Sequence, residues 1–71
     1  MELVEVFKTN VLESEEADEL IRKLLTNFPH YKVNFDLQDC DHILRVEGED
    51  ISSEKIIEIV TINGFHCKAL E

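Results

Sequence analysis

The chain has 71 residues, enough for one small domain spanning residues 1–71 and too few for two. Hydrophobic residues make up 44% of it, a share typical of a folded globule rather than of a disordered segment. Sixteen acidic residues against seven basic ones give a formal net charge of −9, which repels phosphate backbones and anionic lipid, so we expect neither nucleic acid nor a membrane as a partner.

The first predicted strand, residues 2–9, has apolar residues on both of its faces. Val4 and Val6 recur at period two, while Leu3 and Phe7 share the opposite face with Glu5. Because we expect Glu5 to face water, this pattern predicts that Val4 and Val6 point into the core. Leu3 and Phe7 are then predicted to lie on the other side of the sheet.

An amphipathic helix is predicted over residues 15–27. Ser14 is its expected N-cap, because a serine hydroxyl can accept a hydrogen bond from an unpaired amide of the first turn. Acidic residues dominate the first turn, where negative charge suits the helix dipole, and Pro29 ends the helix. The apolar positions recur at three- and four-residue steps and form one stripe: Ala17, Leu20, Ile21 and Leu24.

A hairpin is predicted after this helix. Residues 31–37 alternate strictly between apolar and polar, and a second alternating segment, residues 42–48, follows a short polar turn. The side chains predicted to face the core are Tyr31, Val33, Phe35, Leu37, Leu44 and Val46.

A second helix and a last strand complete the chain. The helix lies within residues 49–65, with Ser52 as its expected N-cap and Gly64 as its left-handed C-terminal cap. The strand follows over residues 65–70. One of its faces carries Phe65, Cys67 and Ala69, and the other carries His66, Lys68 and Leu70.

The element order, strand–helix–strand–strand–helix–strand, predicts an α+β ferredoxin-like βαββαβ sandwich. In this fold a four-stranded antiparallel sheet carries both helices on one face. Right-handed crossovers then set the strand order as 4-1-3-2.

With this order the chain resembles the heavy-metal-associated domain, the fold of copper chaperones and of modules in metal-transporting ATPases. Members carry a Met-x-Cys-x-x-Cys loop after the first strand and an aliphatic residue four places after the second cysteine. Ile21 lies four places after Ala17, so Ser14 and Ala17 occupy the two cysteine positions and the metal motif is missing. The ending "IIEIVTINGFHCKAL" also looks like the family's Ile-rich helix, glycine, aromatic residue and short strand. The resemblance covers nearly the whole chain and implies soft-metal binding in the first loop.

Four other residues offer soft ligands at the same end of the predicted sheet. Cys40 and His42 lie in the turn of the hairpin, and His66 and Cys67 open the last strand. Thiolates and imidazoles are the ligands of zinc and copper(I), so a metal-binding or metal-trafficking domain is one interpretation. In the other interpretation Cys67 alternates into the core as a small hydrophobic residue and Cys40 is a lone surface thiol.

No pattern in the sequence indicates a catalytic site or an export route. The first loop has no arginine of the kind that acylphosphatases use, and no Ser/His/Asp or Cys/His signature is present, so we expect no enzymatic activity. Two cysteines without a framework spacing do not predict a disulfide-stabilised secreted domain. No basic and apolar leader precedes the first strand, so we expect a cytoplasmic protein.

The remaining feature is a set of apolar residues assigned by alternation to the sheet face without helices: Leu3, Phe7, Ile43 and Leu70. Exposed apolar patches of this kind usually contact something. We therefore interpret the chain as a small non-enzymatic heavy-metal-associated-like domain without the cysteine pair, acting as a protein-interaction or adaptor module. Its partner would be another protein or a second copy in a homodimer. The alternative is the metal-binding domain, with zinc or copper(I) held by Cys40, His42, His66 and Cys67.

Overall fold

The computed structural model describes residues 2–38 and 40–70. Its elements are β1 (Leu3–Thr9), α1 (Ser14–Asn27), β2 (Lys32–Asp36), β3 (Ile43–Gly48), α2 (Ser53–Ile62) and β4 (Cys67–Leu70). The four strands form one sheet in the order β2-β3-β1-β4, and all neighbouring strands are antiparallel. The predicted α+β ferredoxin-like sandwich and its strand order are therefore confirmed.

The start of α1 lies one residue earlier than predicted. Glu13, not Ser14, is the N-cap, and its backbone amide donates to Oε1 of Glu16 (3.4 Å). The predicted cap at Ser14 was wrong because the Glu16 side chain accepts a hydrogen bond from the Glu13 amide, so the helix begins with Ser14 already inside it. The predicted stripe is confirmed, since Ala17, Leu20 and Leu24 are buried.

The start of α2 is tied to the sheet through Tyr31. The Tyr31 hydroxyl donates to the Asp50 carbonyl oxygen (3.0 Å) and accepts from the Ser52 amide (3.3 Å). A Cβ atom at Gly48 would lie 2.7 Å from Cδ1 of Tyr31, so the ring needs glycine at this position. The predicted cap at Ser52 is confirmed by its hydrogen bond from the Lys55 amide (3.4 Å).

The core lies between the helices and one face of the sheet. Its main cluster consists of Phe7, Leu24, Tyr31, Val33, Leu44, Val46, Ile56 and Val60. A smaller cluster of Val11, Ala17 and Leu20 closes the end near the first loop. The inward positions predicted for the second and third strands are confirmed, and Phe65, Cys67 and Ala69 of the last strand pack against the main cluster.

The side chains of β1 face the opposite way from the prediction, so the predicted orientation of this strand was wrong. Phe7 is 0% exposed in the core, whereas Val4 is 48% exposed on the opposite face. Leu3 shares the side of Phe7 but lies at the start of the strand, where it is 44% exposed. The prediction took Glu5 as the sign of the water-facing side. Glu5 lies on the core side but close to the strand start, where it is only half-buried, so it does not oppose the burial of Phe7.

Neither helix of the described residues has the length and apolar character needed to cross a membrane.

The two faces of β1 can be distinguished by alanine substitution. Phe7→Ala should lower the free energy of unfolding by about 3–5 kcal/mol, because it leaves a cavity in the core. Val4→Ala on the same strand should lower it by less than about 1 kcal/mol, because the side chain is half exposed. Urea denaturation of both variants measures the difference. Equal losses would contradict the orientation of β1.

Candidate functional site

The loop between β1 and α1 is held by packing and capping. Ala17 is buried with Val11 and Leu20, and Ser14 is exposed at the first position of α1. Residues 10–17, the loop and the first turn of α1, contain neither cysteine nor histidine, the residues that bind zinc and copper(I). Ser14 and Ala17, which the resemblance aligned with two cysteines, therefore offer no ligand for a soft metal ion.

The turn between β2 and β3 is fastened to the end of β1. The Thr9 amide donates to the Asp41 carbonyl oxygen (3.3 Å), and the Thr9 hydroxyl donates to the His42 carbonyl oxygen (2.6 Å). His42 has a φ of 47° and a buried Nδ1 atom without a hydrogen-bond partner among the described residues. Cys40, two residues earlier, is exposed and its thiol is free.

His66 and Cys67 point to opposite sides of the sheet. His66 is exposed, and its amide donates to Oδ1 of Asn10 (2.7 Å), which ties the first loop to the start of β4. Cys67 packs against the core, and burial raises the pKa of its thiol to about 11. The thiolate is the form that binds metals and attacks electrophiles, so Cys67 is held in its unreactive form.

The predicted ligand set is not assembled. Within residues 2–38 and 40–70, no three His, Cys, Asp or Glu side chains form a group that could hold a metal ion. Cys40, His42, His66 and Cys67 do lie at the end of the sheet where they were predicted. They are separated because β1 lies between β3 and β4, and because strand alternation turns Cys67 inward and His66 outward.

The helix-free face of the sheet is the second candidate surface, and we use this name for the strand residues that alternate with the core. They are Val4, Val6 and Lys8 of β1, Lys32, Asn34 and Asp36 of β2, Ile43, Arg45 and Glu47 of β3, and Lys68 and Leu70 of β4. Ile43 and Leu70 lie here as predicted. Leu3 and Phe7 do not, and Val4 and Val6 take their places.

The apolar residues of the helix-free face are neighbours in the sheet. Val6 lies directly opposite Leu70, and Leu70 is 37% exposed. Ile43 lies opposite Lys8, one pair further along β1. The sequence contained a signal for Val4 and Val6, their period-two recurrence, but it was interpreted with the wrong orientation.

An open groove of about 670 Å³ lies at the other end of the sheet. Phe28 and Tyr31 stack there with ring centroids 4.7 Å apart, and Glu2, Glu49 and Asp50 also line the groove. The sequence did not predict this groove, because residues that line it, such as Tyr31 and Gly48, are distant in the chain. The hydrogen bonds of Tyr31 to the start of α2 explain its position without a ligand.

Comparison with family models, with curated proteins and with solved structures found no match to this chain.

We expect the first loop to be inert to soft metals. Titration with copper(I) or zinc should show no submicromolar binding to a variant carrying Cys40→Ser and Cys67→Ser, because the loop offers only hard oxygen donors. The wild-type chain, titrated in parallel, is the control for binding at the cysteines themselves. Tight binding that survives both substitutions would contradict the expectation.

The two thiols should differ in reactivity. In mildly alkaline buffer, iodoacetamide should alkylate Cys40 rapidly and Cys67 slowly, because the raised pKa of Cys67 lowers its thiolate fraction by about a hundredfold relative to an unperturbed thiol. Peptide mass spectrometry over time measures both rates, and the urea-unfolded chain is the control in which they should converge. Equal rates in the folded chain would show that Cys67 is accessible.

Proposed function

We propose that this chain is a non-enzymatic protein-interaction or adaptor module that binds its partner through the helix-free face. The observation that carries the proposal is the cluster of four apolar side chains on that face: Val4, Val6, Ile43 and Leu70. Burying apolar surface yields about 25 cal/mol per Å² before the costs of association. An apolar cluster on a sheet with no covering layer therefore favours contact with another protein.

The strands give this surface a defined shape. Each apolar residue belongs to a ladder of antiparallel pairs, so its direction is set by the backbone rather than by a loop. The same pairing places Val6 in the centre, between Arg45 and Leu70. Sites built on strands hold their geometry better than sites on loops, which suits a docking surface.

The unreactive state of Cys67 supports a binding role over catalysis. The Cys67 thiol is kept protonated by burial, and the described residues contain no metal-binding group of three. We place the module in the cytoplasm, because both of its cysteines are free and reducing compartments preserve free thiols.

Metal binding remains the alternative function, and one observation favours it. The buried Nδ1 of His42 has no partner among the described residues, and Cys40 lies two residues before it. The metal titration distinguishes the two functions. Tight zinc or copper(I) binding by the wild-type chain, lost in the Cys40→Ser, Cys67→Ser variant, would favour metal trafficking over the adaptor role.

The proposed function predicts that charges placed on the helix-free face block partner capture. Val4→Glu and Leu70→Glu, tested singly, should each reduce capture by the immobilised domain from lysate of its own organism by about tenfold, because a buried unpaired carboxylate opposes docking. Ile62→Glu adds the same charge to a residue of α2 that is 74% exposed and should leave capture unchanged. Quantitative mass spectrometry of the captured proteins provides the measurement.

Sedimentation of the wild-type chain at rising concentration tests for a homodimer, because a second copy would bind through the same face. If the wild type neither captures a protein nor self-associates, the proposal fails. It also fails if Ile62→Glu removes the same proteins as Val4→Glu and Leu70→Glu, since the helix-free face would then have no special role.

A further inference from the structure

The helix-free face differs in charge from the rest of the chain. It carries four of the seven basic residues, Lys8, Lys32, Arg45 and Lys68, and two of the sixteen acidic ones, Asp36 and Glu47. The face therefore has a formal charge of +2 in a chain whose net charge is −9. This segregation follows from the strand register, which turns the basic residues of all four strands to one side.

Three cations and three apolar residues form a continuous block at the centre of the helix-free face. Ile43, Lys8 and Lys68 lie side by side on β3, β1 and β4, and the next row consists of Arg45, Val6 and Leu70. We call these six residues the mixed block. It contains no carboxylate. Two carboxylates form ion pairs at its border, where Oδ1 of Asp41 lies 3.5 Å from Nζ of Lys8 and Oε1 of Glu47 lies 3.7 Å from Nη2 of Arg45.

Lys8 and Lys68 are direct cross-strand partners. Like charges placed directly opposite each other destabilise a sheet, so this pair is unfavourable in the isolated domain. Lys8 is partly compensated by Asp41, whereas Lys68 makes no ion pair with any described residue. An anionic group between the two ammonium groups would remove the repulsion.

A shallow cavity of about 360 Å³ adjoins the two lysines. It opens at the end of the sheet, where the helix-free face meets the side that carries α2, and none of the residues that line it is Asp or Glu: Lys8, Thr9, Asn10, Thr61, His66, Cys67 and Lys68. In a chain with sixteen carboxylates, a cavity bordered by two lysines and no acid is suited to a negative group supplied from outside.

We propose that the helix-free face binds an acidic segment of a partner protein, with a carboxylate seated between Lys8 and Lys68 and apolar side chains packed on Val6 and Leu70. This inference rests on the proposed function and adds the chemistry of the partner. A second copy is not the expected occupant, because a symmetric dimer through the same face would bring two surfaces of charge +2 together. Nucleic acid is disfavoured by the net charge of −9 and because none of the residues assigned to this face is aromatic.

The experiment uses two synthetic peptides and the full chain labelled for amide NMR. One peptide has glutamates flanking a short leucine-containing centre, and the matched peptide has lysine at every glutamate position. The acidic peptide should shift the amide signals of Val6, Lys8, Lys68 and Leu70, and added salt should weaken its binding. The lysine peptide should not shift these signals.

Charge variants test whether Lys68 contributes to binding of the acidic peptide. Lys68→Glu should weaken binding of the acidic peptide by about fivefold or more, and Lys68→Arg should retain it, because arginine keeps the charge. Lys55→Glu makes the same charge change on α2, away from the helix-free face, and should leave the dissociation constant within about twofold of wild type. A melting curve for each variant shows that the fold is intact.

Three outcomes would overturn the inference. If both peptides bind equally at these amides, the face binds proteins without preferring acidic segments. The proposed function then stands and the inference fails. If neither peptide shifts them, the inference fails and the capture comparison alone decides the proposed function. If the chain alone self-associates and Lys68→Glu abolishes this, the occupant is a second copy rather than an acidic partner.

Discussion

The burial of Phe7 between the sheet and the helices decides the direction of every other side chain in β1. Phe7 lies opposite Leu44 on β3 and Ala69 on β4, and Phe35 on β2 continues the same row. Side chains alternate with period two, so exchanging the faces of β1 would expose the phenyl ring and put two valines beneath the helices. Valines would not fill the space of the ring, and close-packed cores tolerate such voids poorly. This constraint sets which residues of the central strand face outward.

The composition of the helix-free face is a consequence of that orientation. With Phe7 inward, Val4, Val6 and Lys8 face outward beside residues of β3 and β4. Positive and apolar side chains then lie together on an acidic domain. The shortest dimension of the domain, 17 Å, is about twice the screening length of roughly 8 Å at physiological ionic strength. Carboxylates elsewhere on the surface therefore weaken the local field of the face only in part.

The first loop of this ferredoxin-like fold is positioned by packing and by capping of the helix that follows it. Ala17 closes the smaller core cluster with Val11 and Leu20, and Glu13 caps the helix, so packing and hydrogen bonding suffice to place the loop. Of the two cysteines near this end, Cys67 packs against the core as a protonated thiol and Cys40 is exposed.

The sequence by itself determined the six elements and their order, because alternation, helical periodicity, the Ser52 cap and the Gly64 turn each act over a few residues. The right-handedness of the crossovers then set the strand arrangement. It did not determine the orientation of β1, because each face of this strand carries two apolar residues. The prediction relied on Glu5 alone and turned the wrong face of β1 towards the core. Only the tertiary structure decided this, because the choice depends on which side chain fills the space under the helices. The pairing of Lys8 with Lys68 was hidden for a related reason. Residues 60 positions apart meet only through the register of β1 with β4, which no local pattern encodes.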